Sequence, residues 1–360
     1  MKKNPVRVLV VDDSALMRKL IPQMLAGDEA IEVVGTAMDG AFCLKKIDEL
    51  HPNVITLDLE MPGMNGIDTL KEIMRRQPVP VIVFSSHSTE GASVTMKALG
   101  LGAFDFVTKP KDASAHMAET ARELIAKVKA AAECKLKPRI RTVAAKPEKV
   151  TALPGSPTKV VAIGVSTGGP QAMEYLLSQL PGDFPGAIVV VQHMPEGFTD
   201  MFARRLDEIC ALRVKEAQSG DVLQPGRVLI GPGSRHLKVK RLPMGDIVVL
   251  SDEPRVNGHR PSADVLLRSV AEEFKNNAVG VLMTGMGDDG AEGLGAVKRE
   301  GGMTLAQSEE SCVVFGMPKA AIERGYALRV VGLEVMGATL QTICGRGMGT
   351  DGGRGARAGS

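Results

Sequence analysis

The sequence has no tryptophan, two tyrosines and nine phenylalanines, so it offers few aromatic platforms on which nucleic-acid bases could stack. Its charge is nearly balanced, at +2 over 360 residues, and gives no sign of the broad basic face that a phosphate backbone requires. Nucleic acid is therefore not expected as a partner. Cysteine is sparse: Cys43, Cys134, Cys210, Cys312 and Cys344 stand far apart, with no C-x-x-C pair and no histidine array nearby. This reads as reduced cytosolic thiols and predicts no structural zinc. Long apolar runs are missing too. None approaches the ~20 residues of a membrane span, and Val6–Val11, after Met1-Lys2-Lys3, stops at Asp12-Asp13, too soon for a signal-peptide core. A cytoplasmic protein without direct membrane insertion is expected. What is present, 44% hydrophobic and 24% charged residues, is the composition of globular domains, and the length suits about two of them.

The first third alternates short apolar runs with helix-like stretches. The runs are Val6–Val11, Ile31–Val34, Val54–Leu57, Val79–Phe84 and Phe104–Val107, and the pattern predicts a doubly wound, five-stranded parallel α/β sheet. Pro22 falls inside the first helix, where it should kink or shorten it. In such a sheet the chemistry collects at the carboxyl ends of the strands. Asp12 and Asp13 follow the first strand, Asp58 the third, Ser85 the fourth and Lys109 the fifth. Three carboxylates gathered there repel one another unless a hard divalent cation joins them, and oxygen ligands suit Mg²⁺. The alternative reading is two helix-capping aspartates and a third that ends a strand by chance.

A helix over Thr120–Cys134 closes this unit. Residues 135–158 are basic, proline-bearing and aperiodic, which predicts a linker, and 345–360 are glycine- and arginine-rich, which predicts a disordered tail. The expected organisation is thus 1–134, a linker over 135–158, a second α/β domain with a mostly parallel sheet over 159–344, and the tail. Strands in the second domain are expected at Val160–Ile163, Ala187–Val191, Arg227–Ile230, Ile247–Leu250, Val279–Met283 and near Met303–Ala306.

Val160–Ile163 leads into Gly164-Val165-Ser166-Thr167-Gly168-Gly169-Pro170 and then a helix. G-x-S-x-G at a strand-to-helix turn fits a nucleophilic Ser166, and equally a phosphate cradle or a tight corner. A serine nucleophile needs a base, and the base a carboxylate to orient it. His193 ends the strand Ala187–Val191 at the same sheet edge; His236 and His259 lie on glycine-bearing loops. The carboxylate falls in Thr284-Gly285-Met286-Gly287-Asp288-Asp289-Gly290, where spacing leaves Asp288 and Asp289 open. The order serine, histidine, aspartate differs from that of α/β-hydrolases.

Val10-Val11-Asp12-Asp13, Asp58-Leu59-Glu60-Met61-Pro62-Gly63-Met64-Asn65-Gly66, Ser85-Ser86 and Phe106-Val107-Thr108-Lys109-Pro110 closely resemble the receiver domain of two-component response regulators, a flavodoxin-like fold. The resemblance implies that Asp58 accepts a phosphoryl group, that Asp12, Asp13 and Asp58 hold Mg²⁺, that Ser85 and Lys109 contact the phosphoryl oxygens, and that Phe106 is the aromatic switch. In the second half, the Ser166 turn, Gln192-His193-Met194-Pro195, Arg260-Pro261-Ser262-Ala263-Asp264, the 284–290 turn and Val314-Phe315-Gly316-Met317-Pro318 resemble the chemotaxis protein-glutamate methylesterases. That resemblance implies Ser166 as nucleophile, His193 as base, Asp289 as orienting carboxylate, the Met286 amide as oxyanion donor and the Thr167 hydroxyl as support for His193. It also implies demethylation and deamidation of chemoreceptors with no metal for the hydrolysis, under control of a chemotaxis histidine kinase. The rival readings are a receiver-linked transcription factor, disfavoured by the long, neutral second half, and a non-catalytic scaffold.

Overall fold

The computed structural model describes residues 4–109, 117–134, 149 and 155–345. The expected linker, apart from Lys149 and 155–158, and the expected tail beyond Gly345 fall outside them.

The N-terminal unit runs β1 (Val6–Val11), α1 (Ala15–Leu25), β2 (Ile31–Ala37), α2 (Gly40–Leu50), β3 (Val54–Asp58), α3 (Gly66–Arg76), β4 (Val81–Ser85), α4 (Thr89–Gly100), β5 (Asp105–Thr108) and α5 (Met117–Glu133). All strand pairs are parallel, in the order β2-β1-β3-β4-β5. β3 and β4 are buried along their whole length, because helices cover both faces of the sheet, so they read as unbroken apolar runs rather than alternating ones. Ser14, Asp39, Asn65 and Ser88 each accept a backbone N–H at a helix start, satisfying donors that a helix leaves unpaired. Pro22 sits inside α1, which ends within a turn of it.

The C-terminal unit comprises β6 (Val160–Val165), α6 (Gly169–Leu177), β7 (Ala187–Gln192), α7 (Phe198–Ile209), β8 (Arg213–Glu216), β9 (Arg227–Ile230), β10 (His236–Lys240), β11 (Ile247–Ser251), α8 (Ala263–Phe274), β12 (Ala278–Leu282), α9 (Ala291–Arg299), β13 (Met303–Gln307), α10 (Met317–Glu323), β14 (Arg329–Val331) and α11 (Leu333–Cys344). Seven strands form a parallel sheet in the order β14-β13-β12-β6-β7-β9-β8. The run expected as a strand at Ile247–Leu250 is one, but it pairs antiparallel with β10 in a separate hairpin. The register places Val165 beside Gln192 and Leu282 beside Gly164. The turns that follow β12, β6 and β7 therefore meet at one edge.

The two units share a core. Leu99, Ala103 and Phe106 belong to the same buried cluster as Ala172, Phe198 and Phe202. Phe106 stacks on Phe198 with ring centroids 4.8 Å apart and planes 5° from parallel, and Gln171 Nε2 donates to the carbonyls of Ala103 and Leu99 at 2.8 and 3.4 Å. Lys149 pairs with Asp207 near the end of α7 and donates to Leu212 O at 3.2 Å.

A Cβ on Gly66 would lie 2.3 Å from the Asp58 carbonyl oxygen and 2.5 Å from Leu59 Cα, both backbone atoms that have no rotamer to give. Gly66→Ala is expected to lower stability by about 1–3 kcal/mol, measured by chemical denaturation; an unchanged midpoint would show that the turn relaxes freely.

Candidate active site and acidic cluster

Ser166 stands in the turn between β6 and α6. The turn closes because Gly168 takes φ +74°, at a place where a Cβ would strike Val313 at 2.5 Å, so glycine is required for both conformation and space. The Ser166 amide donates to Thr284 O at 3.0 Å and the His193 amide to Val165 O at 3.1 Å, so the parallel ladder runs on into the turns and sets these residues side by side. Gln192, which the sequence reading did not single out, donates from Nε2 to Ser166 O at 3.0 Å.

Asp289 is 1% exposed and meets His193 Nε2 at 2.8 Å. Its carboxylate also accepts from Ser262 Oγ (2.7 Å), Ala263 N (2.7 Å), Asn257 Nδ2 (3.1 Å) and Asp264 N (3.4 Å). Two of these donors are backbone amides in the first turn of α8, where the helix dipole favours negative charge. Burial alone would push this carboxyl up, but the hydrogen bonds and charge of His193, with Ser262 and Ala263, hold it below the usual carboxylate range. Asp288, the alternative that spacing left open, points away: it is exposed and ion-paired with Arg324 at 2.6 Å.

An ionised carboxylate only accepts, so His193 donates to it from Nε2, and when the ring is neutral its lone pair is on Nδ1. Nδ1 is buried without a hydrogen-bond partner, so the Ser166 hydroxyl, on the same cleft wall, is not bonded to it in this closed arrangement. His259 stacks flat on His193, with centroids 3.8 Å apart and planes 4° from parallel. The turn that puts it there is Asn257-Gly258, both at positive φ (52° and 79°), closed by reciprocal bonds between Val256 and His259. Burial, with His193 beside it, lowers the His259 pKa to about 4. His236 is fully buried, donating from Nε2 to Pro254 O (3.0 Å) and accepting the Ser262 amide at Nδ1 (3.2 Å). Its place is structural: it fixes the loop that delivers Ser262 to Asp289.

These residues open onto a cavity of about 1140 Å³ lined by Ser166, His193, His259 and Met286 on one side and by the N-terminal part of α5 on the other. Among the described residues the Met286 amide has no backbone acceptor, whereas the Gly285, Gly316 and Met317 amides are all engaged. The Thr167 hydroxyl, expected beside His193, is near enough to Asp105 of the N-terminal unit to oppose, in a small way, the upward shift that burial imposes on that carboxyl.

At the other sheet edge, Asp12, Asp13 and Asp58 offer ligand oxygens all within 4.8 Å of one another. Asp12 and Asp58 are buried, and Lys109 Nζ lies 2.6 Å from Asp58 Oδ2 and 3.6 Å from Asp12 Oδ2. Burial raises the Asp12 pKa to about 6, with the Asp58 charge adding to it and Lys109 opposing it. The Asp12 Oδ2 atom is buried and lacks a hydrogen-bond donor, which fits a hard cation held by oxygen. The Ser85 hydroxyl does not face Asp58; it accepts from Thr95 Oγ1 at 2.7 Å and lies against the carbonyls of Ser86 and Gly91. Phe106 is turned inward onto Phe198.

The CheB methylesterase family profile matches residues 161–340 and that of the response regulator receiver domain residues 8–121. The chain is 61% identical over 346 residues to a "Protein-glutamate methylesterase/protein-glutamine glutaminase 2" of Koribacter versatilis, covering 93% of this chain and 95% of that one. It is 44% identical over 362 residues to the Symbiobacterium thermophilum "Protein-glutamate methylesterase/protein-glutamine glutaminase", covering 96% and 99%. Among solved structures, the Thermotoga maritima CheB methylesterase catalytic domain superposes with a TM-score of 0.51 at 44% identity, over 51% of this chain and 98% of that domain.

A histidine whose folded pKa is about 4, against its ordinary value of 6.5, binds its proton less readily in the fold than in the unfolded chain. Stability should then rise with pH between about 4 and 6.5, by on the order of 3 kcal/mol from this residue alone. His259→Gln is expected to flatten that part of the stability–pH curve in denaturant titrations; a curve of unchanged slope would mean that the ring is not held neutral.

Proposed function

The chain belongs to the CheB methylesterase family and carries a response regulator receiver domain, and from that premise we propose that Ser166, His193 and Asp289 perform its hydrolysis while Asp58 regulates it. The enzyme is a protein-glutamate methylesterase and protein-glutamine glutaminase under response-regulator control, acting in chemotaxis. The observation that carries the residue assignment is the 2.8 Å bond between His193 and an Asp289 locked by four further donors.

In the proposed reaction Ser166 Oγ attacks the side-chain carbonyl of a glutamyl methyl ester, and His193 accepts the hydroxyl proton at Nδ1. The carbonyl oxygen becomes an anion facing the unengaged Met286 amide; losing such a donor typically costs about 2.7–4 kcal/mol of barrier. The intermediate collapses, methoxide takes the proton from His193, and methanol departs. Water, deprotonated by the same ring, then releases the glutamate and returns Ser166. A glutamine follows the same course with ammonia leaving.

Asp12, Asp13 and Asp58 would hold Mg²⁺, which when bound offsets the charge of the phosphoryl group in transit. Lys109 neutralises what arrives at Asp58, and Ser85 reaches it by leaving Thr95. The phosphodonor is proposed to be a chemotaxis histidine kinase and the substrates chemoreceptors, met in the cytoplasm. No helix among the described residues is long and apolar enough to cross a membrane. Phosphorylation acts through β5: Lys109 follows Phe106 on the strand end that docks onto Phe198. Moving an equilibrium from 1:99 to 99:1 takes about 5.5 kcal/mol, more than one aromatic stack at about 0.5–1.5 kcal/mol, so release requires several interface contacts to loosen together.

Methanol release from methylated receptor membranes tests both assignments. Ser166→Ala is expected to lose several orders of magnitude in rate, and Asp58→Asn to keep the basal rate without responding to a phosphodonor. Substantial turnover by the first variant, or full activation of the second, would sink the corresponding role.

A further inference from the structure

The cavity in front of Ser166 is lined by charges of both signs. Arg255, Arg260 and Glu196 line it on the catalytic side, and Glu119, Glu123, Arg122 and Lys127 line it from α5, so what matters is which of them pair across it. Glu119 and Glu123 are four residues apart and so share one face of the helix. Glu123 is tied to its own helix by Lys127 at 2.7 Å. Glu119 instead reaches across: its Oε1 lies 3.2 Å from Arg255 Nη1, which also donates to Gly258 O at 3.2 Å, next to the His259 ring. Among the described residues, Glu119 is the one carboxylate within ion-pair distance of Arg255. Arg260 is fastened differently, by the carbonyls of Asp252 and Glu253.

An arginine whose carboxylate partner comes from a removable domain loses that partner when the domain leaves. The substrate that then enters is a protein segment bearing glutamate esters, and the reaction leaves a carboxylate in its place. We propose that Arg255 is a specificity-determining residue that binds a carboxylate flanking the reactive glutamyl ester, and that Glu119 fills this position in the closed form as an internal mimic of the acidic substrate. The proposal rests on the methylesterase reading above. Both side chains are more than half exposed, at 60% and 58%, so solvent screens the pair and it contributes little to closure. A weak mimic suits the role, because an acidic segment must be able to replace it. The planar guanidinium fork matches a carboxylate better than a lysine would.

The test uses the full-length protein, with and without an acyl-phosphate donor, and two synthetic peptides carrying one glutamyl methyl ester each, one flanked by glutamates and one by serines. Methanol release gives kcat and KM. Glu119→Gln is expected to raise the unphosphorylated rate on both peptides by less than about fivefold and to leave the activated KM unchanged. In the activated enzyme, Arg255→Gln is expected to raise KM for the acidic peptide about tenfold, as for loss of a charge-assisted bond, with kcat preserved and little change on the serine peptide; Arg255→Lys should recover part of the loss. If Arg255→Gln raises only the unphosphorylated rate and both peptides keep their KM, Arg255 is an interface contact and the proposal is overturned. Absence of methanol from either peptide with the unsubstituted enzyme would overturn the methylesterase reading as well, an outcome distinct from turnover without discrimination.

Discussion

The catalytic edge depends on one buried negative charge. Asp289 sits where water cannot solvate it, a placement that would cost several kcal/mol if left uncompensated. Compensation comes from three directions: the amides that open α8, the Ser262 and Asn257 side chains, and His193. Each of these has its own support. His236 holds the Ser262 amide, and the Asn257-Gly258 turn that brings the amide donor also carries His259 onto the face of His193. The imidazole is therefore oriented by the carboxylate and held in plane by the stacked ring, as the proposed role of a base that hands a proton back and forth requires.

The regulatory half reaches the same edge through physically separate contacts. Phe106 stacks on Phe198, Asp105 comes near Thr167, and the backbone of Leu99 and Ala103 accepts from Gln171. Thr167 and Gln171 flank the start of α6, the helix that begins just after Ser166. Docking thus covers the cleft and also holds the turn that carries Ser166. No single contact is strong, which suits the proposed control by a modification at Asp58, more than one strand away.

Much of this was legible in the sequence, and the losses have physical causes. Strands buried on both faces, such as β1, β3, β6 and β12, announce themselves as apolar runs. Three strands did not: β8 (Arg-Val-Lys-Glu) and β14 (Arg-Val-Val) lie at the sheet edges and bury one residue each, while β10 (His-Leu-Lys-Val-Lys) buries His236, Leu237 and Val239 but its lysines break the apolar run. That β11 would leave the parallel sheet had no signal, since an apolar run does not encode the direction of its partner. The positions of Ser166, His193 and the 284–290 turn at one sheet edge followed from strand ends alone. Spacing left Asp288 and Asp289 open and the family resemblance chose Asp289; the physical reason, amides at the start of α8 more than twenty residues away, is visible only in the fold. That Asp105 would come near Thr167 had no sequence signal, since the proximity exists only through docking. Asn257 and Ser262 carried weaker marks, an Asn-Gly turn and a serine before a helix, which could have been read as supports for a buried acid.

The wall that α5 contributes to the cleft has a thermodynamic corollary. Binding equilibria linked through one conformational change are reciprocal: if release of the receiver admits a receptor segment, an occupied cleft must favour the released receiver by the same factor. A receiver held away from its docking face has already lost the contacts that oppose its phosphorylated form. Abundant methylated substrate would therefore make this enzyme a better acceptor of the proposed activating phosphoryl group, so the amount of work waiting would tune readiness for it without any additional sensor.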